Sequence, residues 1–133
     1  MIAEGAFLKV LFPTKEKPRQ PGLSHICYCL AVRAPLVLVA YSTSVAWPPG
    51  TPVPFGVRLF TVDEAAALNQ QRAFRLHLNR LARIPLTREW IPDLEAPEQG
   101  VLASATARLR QELYEITLEL QRRHSQNVEL LGF

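Results

Sequence analysis

One histidine and both cysteines of the chain alternate along a short stretch, His25-x-Cys27-x-Cys29. On a β-strand, alternate side chains lie on the same face, so this spacing groups three potential zinc ligands. A structural zinc site needs about four ligands in tetrahedral reach. The only further histidine or cysteine donors are His77 and His124, at unrelated spacing. We therefore predict no metal site, and we interpret the two thiols as small apolar members of a core.

A disulfide between these two cysteines is also excluded by their spacing. The Cβ atoms of strand residues two apart are separated by roughly 7 Å, whereas a disulfide tolerates roughly 3.5–4.5 Å. Two free thiols are typical of a reducing compartment, so we expect a cytoplasmic protein. No apolar run approaches the roughly 18–20 residues that a membrane helix needs. Residues 1–4 also lack the basic start of a signal peptide, and we expect no membrane partner.

Four hydroxyl side chains, Tyr41-Ser42-Thr43-Ser44, follow the most apolar segment of the chain. Hydroxyl groups at the exit of a buried strand are well placed to donate hydrogen bonds to the phosphate of a ligand. The alternative is a turn in which serine and threonine bond their own backbone. Both interpretations place these residues at the end of a strand.

A series of arginines is the third chemical feature. No acidic residue interrupts the sequence between Glu64 and Glu89, which contains Arg72, Arg75, Arg80, Arg83 and Arg88. Clustered arginine without acids is typical of a surface that binds a phosphate backbone. Trp47, Phe55 and Trp90 supply rings on which unpaired bases can stack. The alternative is that the arginine stems only cover the surface of a sheet.

The distribution of charge supports a polyanionic or acidic partner for the body of the protein. Residues 17–88 contain nine basic and two acidic residues, whereas residues 89–133 contain four basic and eight acidic ones. Those two acids of the body are adjacent, Asp63 and Glu64, so it has no separated pair of carboxylates for hydrolysis. The chain also lacks the G-x-S-x-G and H-E-x-x-H motifs.

The elements that must position these residues are mostly short strands. The chain has eleven prolines and six glycines, which favours strands joined by well-defined loops. Apolar and alternating runs predict strands over residues 5–12, 24–32, 35–44, 57–61 and 74–79, and residues 81–86 continue the last of these as an edge segment or a further strand. Residues 61–64 match a capping box, which predicts a helix of about two turns.

The clearest periodic pattern lies near the C-terminus. Apolar residues recur there at steps of three and four, at Leu102, Ala105, Leu109, Leu113, Ile116 and Leu120. This pattern predicts one amphipathic helix over residues 101–124. The chain of 133 residues therefore fits a single domain of the mainly β, α+β class, with a β body over residues 1–90 and a C-terminal helix.

The order of these segments resembles the MazF/PemK family of toxin endoribonucleases. The family's first strand ends near F-x-P-T, here the strand over 5–12 followed by Pro13-Thr14, and a basic, proline-rich loop follows, here KEKPRQPG. A strand resembling R-P-x-L-V-L comes next, here HICYCL, and then an apolar strand ending in a T-S pair, here LVLVAYSTS. A stretch with Arg-Leu-x-Arg-Ile/Leu-Pro follows, here within FRLHLNRLARIPLTREWIP. The resemblance covers roughly residues 3–120 and depends more on this order than on any single motif.

The resemblance implies a small antiparallel SH3-like barrel that forms a homodimer, uses no cofactor, cleaves single-stranded RNA without metal, and is inhibited by an acidic antitoxin protein. It makes Thr43 the hydroxyl of the active site. In the strand that resembles the family's R-P-x-L-V-L motif, His25 occupies the position of the family's catalytic arginine. Arg19, in the preceding loop, is a candidate to replace that arginine, and His25 itself has a pKa suited to acid–base work.

The sequence therefore predicts a metal-independent endoribonuclease with Thr43, His25 and Arg19 as catalytic residues. The residues predicted to bind RNA are Ser44, Trp47, Arg75, Arg80 and Arg83. The alternative is a catalytically inactive protein of the same fold that binds RNA or a protein partner.

Overall fold

The computed structural model describes residues 1–123 and 128–133 and has a mainly β fold of the α+β class. Seven strands form one curled sheet that resembles half a barrel, and two helices pack with it. The elements in chain order are β1 (Ala6–Leu11), β2 (Ser24–Arg33), β3 (Leu36–Thr43), β4 (Val57–Phe60), α1 (Val62–Ala66), β5 (Phe74–Pro85), β6 (Val101–Ser104), α2 (Ala107–Arg122) and β7 (Glu129–Gly132). The predicted fold class, a barrel-like β body with a C-terminal helix, is confirmed.

The sheet is antiparallel except at its last strand. Its order is β4-β5-β3-β2-β1-β6, and β7 pairs with β5 in parallel. The two segments predicted separately over 74–79 and 81–86 form one strand of 12 residues, β5. This strand is long enough to pair with β4 through its first part and with β7 through its second.

Apolar side chains on the two faces of the sheet form two clusters. Neighbouring residues of a strand point to opposite faces, so Phe7 belongs to the cluster beneath α2 whereas Leu8 belongs to the other. Cys27 and Cys29 are fully buried in the same cluster as Leu8, and both are free thiols, as predicted. Burial raises the pKa of the Cys29 thiol to about 11, so this thiol stays protonated near neutral pH.

The prediction of a helix over residues 101–124 is wrong in its first part. Val101–Ser104 form β6, which pairs with β1. The helix begins only after Thr106, whose hydroxyl accepts a hydrogen bond from the backbone N–H of Leu109 at 3.2 Å. α2 ends at Arg122, and residue 124 lies outside the described residues. The sheet also extends beyond residue 90, because both β6 and β7 belong to it.

The capping box is confirmed, although the helix it begins is shorter than the two turns predicted. The Thr61 hydroxyl accepts from the Glu64 backbone N–H at 3.2 Å, and the Glu64 carboxylate accepts from the Thr61 N–H at 2.9 Å. Glu64 also accepts from Arg58 at 2.8 Å, and Arg58 donates to Glu112 of α2 at 2.7 Å. This arginine on β4 therefore links the two helices. In the described part of the chain, neither helix has the length and apolar character needed to cross a membrane.

Candidate functional site

A groove of about 580 Å³ lies where β2 begins and β3 ends. It brings together three residues predicted from the sequence to act in the site: His25, Thr43 and Ser44. The residues that line the groove are Ser24, His25, Ile26, Ser42, Thr43, Ser44, Asn69, Gln70, Gln71, Arg72 and Phe74. Most of these side chains are polar, so the groove is suited to a hydrophilic ligand.

Two hydrogen bonds hold the end of β3 against the start of β2. The buried Ser42 hydroxyl donates to the backbone carbonyl of Ile26. The Ser42 carbonyl lies 3.0 Å from Nδ1 of His25. The Thr43 hydroxyl accepts from the backbone N–H of Val45 at 3.2 Å, as the turn interpretation predicted, and keeps its own proton for a further partner. The strands therefore fix His25 and Thr43 at the same end of the sheet.

The hydrogen bond to Ser42 also determines the protonation pattern of His25. A carbonyl oxygen only accepts, so Nδ1 carries the proton and Nε2 of the neutral ring has a free lone pair. Burial is the main factor that lowers the pKa of His25, and the positive charge of Arg80 lowers it further, whereas the Ser42 bond acts in the opposite direction. The ring is therefore mostly neutral near pH 7 and can accept a proton.

Tyr41 is the centre of a group of aromatic and cationic side chains next to His25. Its ring centre lies 4.7 Å from that of His25 and 5.4 Å from that of His77. The guanidinium of Arg80 lies 4.7 Å from the Tyr41 ring centre, a cation–π distance. Tyr41 therefore lies between His25 of the groove and the side chains of His77 and Arg80 on β5.

Arg75, on β5, pairs with Thr43 across the sheet. Its guanidinium lies 5.0 Å from the ring centre of Trp47. Residues directly opposite one another on neighbouring strands have Cβ atoms about 4.5–5.5 Å apart, so Arg75 is the nearest cationic residue to Thr43 in the sheet register. Arg75 and Trp47 line a second cavity, which adjoins the groove at Ser44 and Phe74.

Three other predicted residues lie near the C-terminal strand β7 and do not line the groove. The guanidinium of Arg19 lies 5.7 Å from the ring centre of Phe133. Arg80 contacts the carboxylate of Glu129 at 3.3 Å as well as Tyr41. The backbone carbonyl of Arg83 accepts from the Phe133 N–H at 3.0 Å, and its side chain is exposed. Arg19 is therefore not positioned in the groove with Thr43.

The loop that precedes β5 was not predicted to belong to the site. Residues 69–72 form one wall of the groove, and Arg72 is its only lining residue with a full positive charge. Asn69 has a positive φ of 58° and donates to the carbonyl of Leu102 at 2.9 Å, which fixes the loop. The polar run NQQR, which follows the capping-box helix, is the sequence feature that could have indicated this wall of the groove.

His77 provides a test of the electrostatics of this face. Burial, followed by the charges of Arg75 and Arg80, lowers the pKa of His77 to about 4. The imidazole of His77 binds a proton more tightly in the unfolded chain than in the folded one. Its contribution to the free energy of unfolding is therefore fully present above about pH 6.5 and is lost as the pH falls towards 4. We expect urea denaturation to give a wild-type loss of about 1–2 kcal/mol from this group over that range, reduced by solvent screening. His77→Gln should have a flatter pH dependence, and equal slopes for both proteins would contradict this assignment.

No cluster of three or more histidine, cysteine or acidic side chains with metal-binding geometry occurs within residues 1–123 and 128–133. The donors of the groove are hydroxyl, amide, imidazole and guanidinium groups. Such a set favours an anionic or polar organic ligand rather than a cation. Comparison of the chain with known proteins finds no matching family model and no matching curated protein.

Proposed function

We propose that this protein is a metal-independent endoribonuclease of the MazF/PemK type that cleaves single-stranded RNA in the groove between β2 and β3. The observation that carries the proposal is the neutral imidazole of His25, oriented by the Ser42 carbonyl and lining the same groove as the Thr43 hydroxyl. A general base and a hydrogen-bond donor are two of the parts that RNA cleavage without metal needs.

The reaction uses the ribose as its own nucleophile. Nε2 of His25 accepts the proton of the 2′-hydroxyl, and the 2′-oxygen attacks the adjacent phosphorus. The bond from phosphorus to the 5′-oxygen breaks, and this oxygen takes a proton from water. The hydroxide that remains takes up the proton held by His25, which restores the neutral imidazole. The products are a 2′,3′-cyclic phosphate and a 5′-hydroxyl end. Thr43 and Arg72 donate hydrogen bonds to the phosphate oxygens, where negative charge develops.

Single-stranded RNA is the proposed substrate because the face around the groove combines cationic and aromatic side chains. Ser44 lines the groove itself, and Arg75 and Trp47 lie directly beside it. Arg80 and Arg83 lie farther along β5 and would contact the backbone of a longer strand. Unpaired bases can stack on exposed rings, which a duplex does not permit.

The partners and location belong to the same proposal. The basic body attracts an acidic protein such as the antitoxin that the resemblance implies. Homodimer formation and a cytoplasmic location are likewise proposed from the resemblance, and the two free thiols support the location.

The test is incubation of the purified protein with single-stranded RNA of mixed sequence in EDTA. We expect cleavage with 2′,3′-cyclic phosphate ends and a reduction of about 10–10³-fold for Thr43→Ala, since a donor to the developing charge is lost. Thr87→Ala, an exposed threonine outside the groove, is the matched control and should cleave as the wild type does. Intact RNA after incubation with folded wild-type protein would refute the nuclease proposal.

A catalytically inactive RNA-binding protein is the second candidate. It is favoured by the position of Arg19, which contacts Phe133 and leaves the arginine of the family's site without a replacement from that loop. This candidate predicts RNA binding that weakens steeply with salt, together with no cleavage at any pH. The same incubation, followed by a filter-binding assay, separates the two candidates.

A further inference from the structure

The second cavity, beside the groove, has a volume of about 290 Å³. Its lining residues are Ser44, Val45, Ala46, Trp47, Leu59, Phe60, Ala73, Phe74 and Arg75. Ser44 and Phe74 also line the first groove, so the two spaces adjoin at these residues. A ligand bound near Thr43 therefore lies beside this cavity.

The side chains that line the cavity suit a flat, apolar ligand with hydrogen-bond acceptors at its edge. Its walls are largely aliphatic and aromatic, and Phe60 and Phe74 stack on each other at 4.4 Å between ring centres. Arg75 lies over the indole of Trp47, and no carboxylate of the described residues lies within 4.0 Å of its guanidinium. No acidic side chain lines the cavity. Its side-chain polar groups are thus mainly donors.

The guanidinium of Arg75 is not fully hydrogen-bonded by the described residues. Its Nε is buried and has no hydrogen-bond partner in the described structure. Other arginines of this region are paired, Arg58 with Glu64 and Glu112 and Arg80 with Glu129. No carboxylate in the described part of the chain holds the Arg75 guanidinium, so a bound group can accept from its terminal nitrogens and does not have to displace a protein carboxylate.

We propose that this cavity binds one unpaired guanine base of the RNA strand, adjacent to the nucleotide whose phosphate lies at Thr43. The inference rests on the proposed function for the identity of the strand. Trp47 supplies the stacking surface, and Arg75 donates to the edge of the base. Guanine presents two adjacent acceptors, O6 and N7, to an arginine, whereas adenine presents a donor at one of these positions. The cavity therefore selects guanine over adenine and over the smaller pyrimidines.

The test uses oligonucleotides that cannot be cleaved, so that binding is measured independently of catalysis. The probes are 2′-O-methyl oligouridines with guanine, adenine, cytosine or an abasic site at one central position. Fluorescence anisotropy of a dye attached to the end of each probe reports binding, and this readout does not depend on the tryptophans of the protein. We expect the guanine probe to bind at least about tenfold more tightly than the abasic one, as one stacked base contributes about that much or more.

Variants distinguish a base site from general attraction of RNA. Trp47→Ala and Arg75→Ala should each remove most of the difference between the guanine and abasic probes. Ala73→Trp fills the cavity without deleting a contact residue, and it should have the same effect. This variant keeps the test independent of any change that Trp47→Ala makes to its loop. Arg33→Ala removes an exposed arginine at the end of β2 and should retain the guanine preference.

The outcomes separate this inference from the nuclease proposal. Equal affinity for all four probes, or a guanine preference that survives both Trp47→Ala and Ala73→Trp, would overturn the base site. A guanine preference that these variants abolish, in a protein that never cleaves RNA, would retain the base site and refute the nuclease proposal. Cleavage without any base preference would retain the nuclease and refute the base site.

Discussion

Replacing His25 with alanine is expected to reduce RNA cleavage by about 10²–10⁴-fold, the usual contribution of a positioned general base. The wild-type rate should rise with pH and reach a plateau, because only the neutral ring can accept the proton of the 2′-hydroxyl. The pKa of His25 in the folded protein lies below its ordinary value of 6.5. The midpoint of the rise should therefore also lie below 6.5, and it should disappear in His25→Ala. The measurement is the initial cleavage rate of a labelled RNA between about pH 4.5 and pH 8, a range that covers this titration.

His77 is the matched histidine for this experiment. Its ring centre lies 5.4 Å from that of Tyr41, and burial lowers its pKa to about 4. His77→Gln should keep the inflection that His25→Ala loses. If His25→Ala retains both the rate and the inflection, another group is the base, and the role that we propose for His25 is wrong.

The strands of this protein were predictable because their signal is local. The apolar run that forms β3 and the alternation in β5 directly reflect burial on two faces or on one. The helix over 101–124 was overextended because Leu102 and Ala105 continue the helical period by coincidence. Leu102 lies instead in β6, which pairs with β1, and the backbone N–H of Ala105 donates to the carbonyl of Gly5, so the sheet pairing outweighs helix propensity. β7 was missed because a four-residue strand depends on a distant partner, β5.

The candidate site was predictable in part. His25 and Thr43 were assigned to the site from the family resemblance, and the antiparallel pairing of β2 with β3 brings both residues to one groove. The sequence could not place Arg19, because a long loop has no register to fix it. It also gave no reason to assign Arg72 to the groove. The approach of the loop before β5 depends on the tertiary contact between Asn69 and Leu102.

The stability of the sheet should depend strongly on one side chain of α2. Leu113 is fully buried in the cluster that contains Phe7 and Leu76. Leu113→Ala leaves a cavity that rigid strands cannot fill, and it should lower the free energy of unfolding by about 2–5 kcal/mol. A small domain has a total stability of about 5–15 kcal/mol, so this loss is large. Urea denaturation followed by circular dichroism is the measurement.

Leu118 provides the control, because it lies in the same helix and is 40% exposed. Leu118→Ala makes the same change in composition and in helix propensity, but it removes little buried surface, so it should lower the free energy of unfolding by less than about 1 kcal/mol. The difference between the two variants isolates the contribution of packing between α2 and the sheet. Equal losses would mean that α2 contributes through its own helicity. The buried face of the helix would then not be what holds it against β5.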